Sequence, residues 1–135
     1  MVEKVESGGR VLALILRGEL GREGAFFYTP PENSIQLGII QHKQGTEVRP
    51  HVHKDVSRLV QGVQEVLHIE YGVVEVDVYA GDGTKVWNTK LSDGDTILFI
   101  DGGHGLKVMS DTRILEVKQG PYLGASEDKS WLNPV

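Results

Sequence analysis

The sequence predicts an all-β fold, a sandwich or barrel, on three observations. Seventeen glycines break the chain at short intervals. The segments between them alternate Val, Ile, Leu or Tyr with polar residues at a period of two, which places one row of side chains on each face of a strand. Helical periodicity is nearly absent, and the β-branched residues of these segments suit a pleated, half-buried surface. The pattern predicts strands near 11–18, 25–29, 35–42, 47–53, 64–71, 73–79, 84–91, 95–100, 104–109 and 112–119.

The first strand contains the run Val11-Leu12-Ala13-Leu14-Ile15-Leu16, too continuous for a strand with one wet face. It is therefore the expected interface of a homodimer, in which a partner covers the second face. In the strand at 47–53, His51 and His53 stand two apart and share a face, so their imidazoles can converge on one ion. The polar stretch 54–61 breaks the alternation and reads as a loop or a single helical turn.

Along 64–71, period two puts Glu65 on one row with Leu67, Ile69 and Tyr71, and leaves Val66, His68 and Glu70 on the other. A carboxylate heading an apolar row is costly to bury unless it is paired or coordinated. Gly81-Asp82-Gly83 is a hairpin turn signal, because Asp and Gly tolerate positive φ, and Ser92-Asp93-Gly94-Asp95 makes a second turn.

After the turn at Gly102-Gly103, His104 shares a face with Leu106 and Val108. In the last strand Leu115, Val117 and Gln119 face one way and Ile114, Glu116 and Lys118 the other. The tail from Pro121 is polar and is expected to run over the domain surface, with Trp131 as its packing anchor. His42 and His68 are expected at solvated or outward positions.

Composition limits the partners. The formal net charge of −5 and the absence of a basic run argue against nucleic acid and anionic membranes as partners. No apolar stretch approaches the roughly 20 residues of a membrane helix, and the charged N-terminus is unlike a secretory leader. These features predict a cytoplasmic protein whose partner is a small molecule. The chain has no cysteine, which excludes disulfides, thiolate metal sites and cysteine nucleophiles. Any metal must be held by nitrogen and oxygen.

The stretch from Gly45 through Arg49-Pro50-His51-Val52-His53, followed by Glu65 and Gly72, resembles cupin motif 1. Gly94-Asp95-Thr96-Ile97-Leu98-Phe99-Ile100-Asp101-Gly102-Gly103-His104 resembles cupin motif 2. The span between His53 and Glu65 is longer than the family usually has, so motif 1 carries an insertion. His104 comes one residue early, and Ile100 stands where the family usually has proline.

The resemblance implies a double-stranded β-helix, the cupin jelly-roll barrel, as a single domain over residues 1–120, with the motifs at 45–72 and 94–104 and a packing tail at 121–135. It also implies one divalent ion, Fe, Mn, Ni, Co or Zn, held by His51, His53, Glu65 and His104. Asp55 and Glu47 share the strand parity of the histidine pair and compete with Glu65.

Such a site predicts a metal-dependent enzyme acting on a small polar metabolite by dioxygenase, isomerase or lyase chemistry, with sugar-related substrates among those open to it. The alternative is a non-catalytic module that binds or senses a small molecule in the same pocket. Arg58, Gln64, Glu116 and Lys118 are the candidate catalytic or substrate-contacting residues, Arg58 for its planar, carboxylate-matching fork.

Overall fold

Five strands form the larger sheet, antiparallel throughout, in the order β1 (Val2–Ser7), β2 (Arg10–Leu16), β8 (Thr96–Phe99), β5 (Glu65–Tyr71) and β10 (Arg113–Lys118). A three-stranded sheet has the order β7 (Lys85–Leu91), β6 (Val74–Tyr79), β9 (Gly103–Val108), and β3 (Gly24–Phe27) pairs with β4 (Gly38–Gln41). A single helical turn, α1 (Ala125–Asp128), follows β10. This computed structural model describes residues 2–133; residues 1, 134 and 135, at the ends of the expected domain and tail, lie outside the described residues. The protein is thus all-β, with three antiparallel sheets, none of them closed among the described residues.

The chain divides into two compact units. The first takes in the chain up to Leu20 and from Val63 onward, and the second is Gly21–Gly62. In the first unit the two larger sheets share one apolar core. Val5, Ala13, Ile15, Leu67, Ile69, Ile97 and Phe99 come from the five-stranded sheet, and Val74, Val76, Val78 and Leu91 from the three-stranded one. Alternation explains the three-stranded sheet's share, since Val74, Val76 and Val78 take every second position of β6.

The turns form where expected. Ala80 N–H donates to the Thr84 carbonyl at 2.9 Å across Gly81-Asp82-Gly83, and the Asp82 carboxylate accepts from Thr84 N–H at 2.9 Å. At the second turn Asp95 N–H donates to the Ser92 carbonyl at 2.9 Å.

The structure corrects the sequence reading in three places. β1 is a strand where none was expected, its charged residues lying along a sheet edge. β2 is flanked by β1 and β8 and buried within the chain, with Leu14 and Ile15, which point to opposite faces, 3% and 0% exposed. The run offered as a dimer interface is therefore internal. Residues 42–64 form no helix or strand, so the strand expected at 47–53 is absent while the loop expected at 54–61 is present.

The second unit is described by its hairpin. β3 and β4 pair in register from Gly24 opposite Gln41 to Phe27 opposite Gly38. Thr29 and Gln36 close it, their side chains 3.2 Å apart and the Gln36 amide donating to the carbonyls of Pro30 and Asn33.

Candidate functional site

Strand register builds one end of the first unit's core into a polar corner. β5 lies between β8 and β10, so Glu65 stands opposite Phe99 on one side and opposite Lys118 on the other. The next row on the same face places Glu116 opposite Leu67, which is opposite Ile97. This settles the orientation of β10: Glu116 and Lys118 share the face of Glu65, whereas Leu115 and Val117 are exposed on the other face. Gln119 ties the strand ends together, its Oε1 accepting from Gln64 N–H at 2.9 Å.

His104 arrives from the other sheet, where it pairs with Val78 of β6. Its Nε2 lies 3.1 Å from Glu65 Oε2. Its ring stacks on Phe99 with centroids 3.8 Å apart and planes 7° from parallel. Phe99 thus stands beside Glu65 in the sheet and fixes the plane of the imidazole that Glu65 meets.

The corner opens into a cavity of about 620 Å³, with Leu67, Phe99 and Ile114 on its apolar side and Glu65, His104 and Lys118 on its polar side. The hydrogen bond from His104, aided by one from Glu116 and by the charge of Lys118, holds the Glu65 carboxyl down to about 2 against the opposing effect of burial. Glu116 moves the other way. It shares a hydrogen bond with the ionised Glu65, is partly desolvated and feels that negative charge, so its carboxyl is raised above the ordinary range. Lys118 is held in its charged form chiefly by Asp128, whose Oδ2 lies 3.2 Å from Nζ.

His51 and His53 belong to the second unit, both exposed. Their ring centroids are 5.3 Å apart with planes at 74°. His51 Nδ1 is 2.8 Å from the Arg49 carbonyl. In the neutral ring Nδ1–H donates to that oxygen and Nε2 keeps its lone pair, the tautomer a metal-ligating histidine uses. Asp55 and Glu47 are exposed on the same segment, and Arg58, also exposed, donates to the Val56 carbonyl at 3.3 Å. Among the described residues no three His, Asp or Glu side chains gather as a metal site. Of the four proposed ligands, the structure brings together Glu65 with His104, and His51 with His53.

His68 lies on the sheet face opposite Glu65, half-buried, with Nδ1 2.8 Å from Thr96 Oγ1, and His42 is exposed. Sequence reasoning missed Phe99, whose role depends on the pairing of β5 with β8. It also missed the tail: Asp128, Lys129, Ser130, Trp131 and Leu132 all line the cavity. Trp131 is 89% exposed and so does not anchor the tail. Leu132 does that, packing where Gly103 has no side chain; a Cβ there would stand 2.9 Å from Leu132 Cδ2.

Fold and site together define an all-β protein in which two antiparallel sheets share a core and a Glu–His pair faces a mixed apolar and polar cavity. Compared with models of protein families, with curated proteins and with solved structures, the chain matches none. No helix among the described residues is long and apolar enough to cross a membrane.

Proposed function

We propose that this chain is a metal-dependent protein of the cupin type that acts on a small polar metabolite in the cavity beside Glu65 and His104. One observation carries the reading: Glu65 and His104, drawn from two separate sequence motifs and from two different sheets, meet at 3.1 Å on the wall of a cavity. Eight strands in two sheets about one core is also the strand count of a jelly roll.

The donors fit a divalent ion. A separation near 3 Å is that of a hydrogen bond, and it is also that of two neighbouring ligands on one ion with bonds of about 2.1 Å. Glu65 is ionised across the physiological range, as a ligand must be. His51 and His53 offer two further imidazoles, His51 with Nε2 as its free nitrogen. A bound ion would supply Lewis-acid polarisation or, if redox-active, electron transfer.

The chain's own residues do the rest. Phe99 holds the His104 ring in plane, and the apolar side of the cavity excludes water from the occupant's carbon skeleton. Glu116 can hand a proton to a substrate oxygen, and Lys118 can orient a developing anion.

Metal analysis of untagged protein, with thermal melts in added Mn²⁺, Ni²⁺ or Zn²⁺, tests the reading. A bound ion and a rise in melting temperature are expected, both lost in Glu65→Ala and in His104→Ala and weakened in His51→Ala. A protein that holds no ion and whose melting temperature ignores all three would overturn it. Turnover in a metabolite screen, abolished by His104→Ala, would separate an enzyme from a binding module.

A further inference from the structure

The segment after β10 crosses the cavity on few attachments. α1 is one turn without a buried residue or a side-chain cap, and Gly124 before it has φ 96° with open space around its Cβ position. Beyond α1, residues 129–132 line the cavity and yet stay exposed. Besides Lys118 Nζ over the ring of Tyr122 at 5.3 Å, ahead of α1, two contacts among the described residues hold this segment to the sheets. One is the ion pair between Asp128 Oδ2 and Lys118 Nζ at 3.2 Å, its side chains 12% and 26% exposed. The other is Leu132 packed over Gly103, the residue before His104.

A segment with little buried area and few hydrogen bonds to the rest of the fold opens at low free energy, well before the sheets do. Lys118 is the natural catch, because it stands in the same cross-strand row as Glu65 and lies 3.8 Å from Glu116, so its ammonium has carboxylate partners on the sheet when Asp128 leaves. Opening therefore strands no unpaired charge in the cavity.

We propose that residues 125–132 form a strap that opens and closes the cavity at His104, latched by the Asp128–Lys118 ion pair. The strap gives a ligand its way in, and on closing brings Trp131 to the mouth as a side chain the occupant can meet. The proposal rests on the cavity being the ligand site, and its test needs neither metal nor substrate.

The test is the rate at which diethyl pyrocarbonate modifies each histidine of the metal-stripped full chain, read by mass spectrometry, with exposed His42 as the internal standard. Breaking the Asp128–Lys118 ion pair raises the open population of the strap. His104, whose side chain is 31% exposed with the strap in place, should be modified up to about threefold faster relative to His42 in Asp128→Asn, while His68 stays slow. Leu132→Ala, which changes no charge, should move His104 in the same direction. In wild-type protein 1 M salt, with a screening length of about 3 Å, should do so as well.

Unchanged His104 rates in both variants and in salt would overturn the strap, and so would an equal acceleration of His68, which would mean general loosening. Either result leaves the metal reading standing, because that reading is decided by metal content.

Discussion

Arg17, one residue past the end of β2, donates from Nη1 to Asp95 Oδ2 at 3.2 Å, and Asp95 is 6% exposed in the turn before β8. The carboxylate also accepts from Gly18 N–H at 2.8 Å and Ser92 N–H at 2.9 Å, while the guanidinium reaches Thr89 Oγ1 at 3.1 Å and the Lys90 carbonyl at 2.9 Å. One buried pair thus ties the ends of β2 and β7 to the turn that leads into β8. Removing the Asp95 carboxylate leaves the Gly18 and Ser92 backbone donors without their acceptor and takes one partner from the guanidinium, which keeps Glu3 Oε2 at 2.5 Å. Asp95→Ala is expected to cost about 3 kcal/mol in urea unfolding. A loss below about 1 kcal/mol would show that water replaces the carboxylate.

The glycine that closes the motif 1 resemblance has a structural reason. Gly72 turns the chain from β5 into β6 at φ 101°, and its N–H donates to Asp93 Oδ1 at 2.8 Å. A Cβ there would stand 2.5 Å from the Asp111 carbonyl and 2.7 Å from Thr112 Cα, both backbone atoms that cannot rotate away. Gly72→Ala is expected to destabilise the protein by about 2–4 kcal/mol, the backbone strain and the clash adding together. A melting temperature equal to wild type would mean that the β5–β6 turn can rebuild.

Nine of the ten expected strands exist because alternation is a local property, written residue by residue between the glycines. The tenth, at 47–53, has the same alternation and fails: its apolar row of Val48, Pro50 and Val52 stays exposed, and Pro50 in its middle has no N–H to give a ladder. β1 was hidden for the converse reason: its charges read as a terminus, and it is a strand because the edge of β2 accepts it. Glu65 and His104 were legible as candidates, but their contact depends on how two sheets face each other. The orientation of Glu116 and Lys118 likewise needed the register of β10 on β5, which no single strand encodes. The tail was least legible, because its polar composition says that it is exposed and not what it lies across.

Burial of β2 inside the chain separates a core strand from an interface. Ile15 is wholly buried, with β1 and β8 on either side. Ile15→Ala removes three buried carbons and leaves a cavity, at a cost of about 3–4 kcal/mol. The decisive feature is concentration. If β2 packs within one chain, the urea midpoint of Ile15→Ala stays the same across a hundredfold range of protein concentration, whereas an interface strand would lose stability on dilution. A midpoint that falls with dilution would return β2 to the surface.

Glu65 predicts the acid limb of the stability profile of the metal-stripped protein. Its carboxyl sits at about 2 in the folded chain, chiefly through the His104 hydrogen bond, against an ordinary value of 4.5. Because the folded value is the lower one, the unfolded chain binds more protons between the two. The stabilisation from Glu65 is complete above about 4.5 and is lost as pH falls toward 2. Glu116 has the opposite sign: raised in the folded chain, it favours folding while protonated and gives that up as pH rises through its elevated value. Glu65→Gln removes the first effect and reduces the second, since Glu116 then has no ionised neighbour to bond and keeps only its partial desolvation. Urea midpoints measured from pH 2.5 to 7 should fall steeply with acid in wild type and more shallowly in Glu65→Gln. Parallel profiles would mean that the Glu65–His104 hydrogen bond contributes nothing to stability in solution.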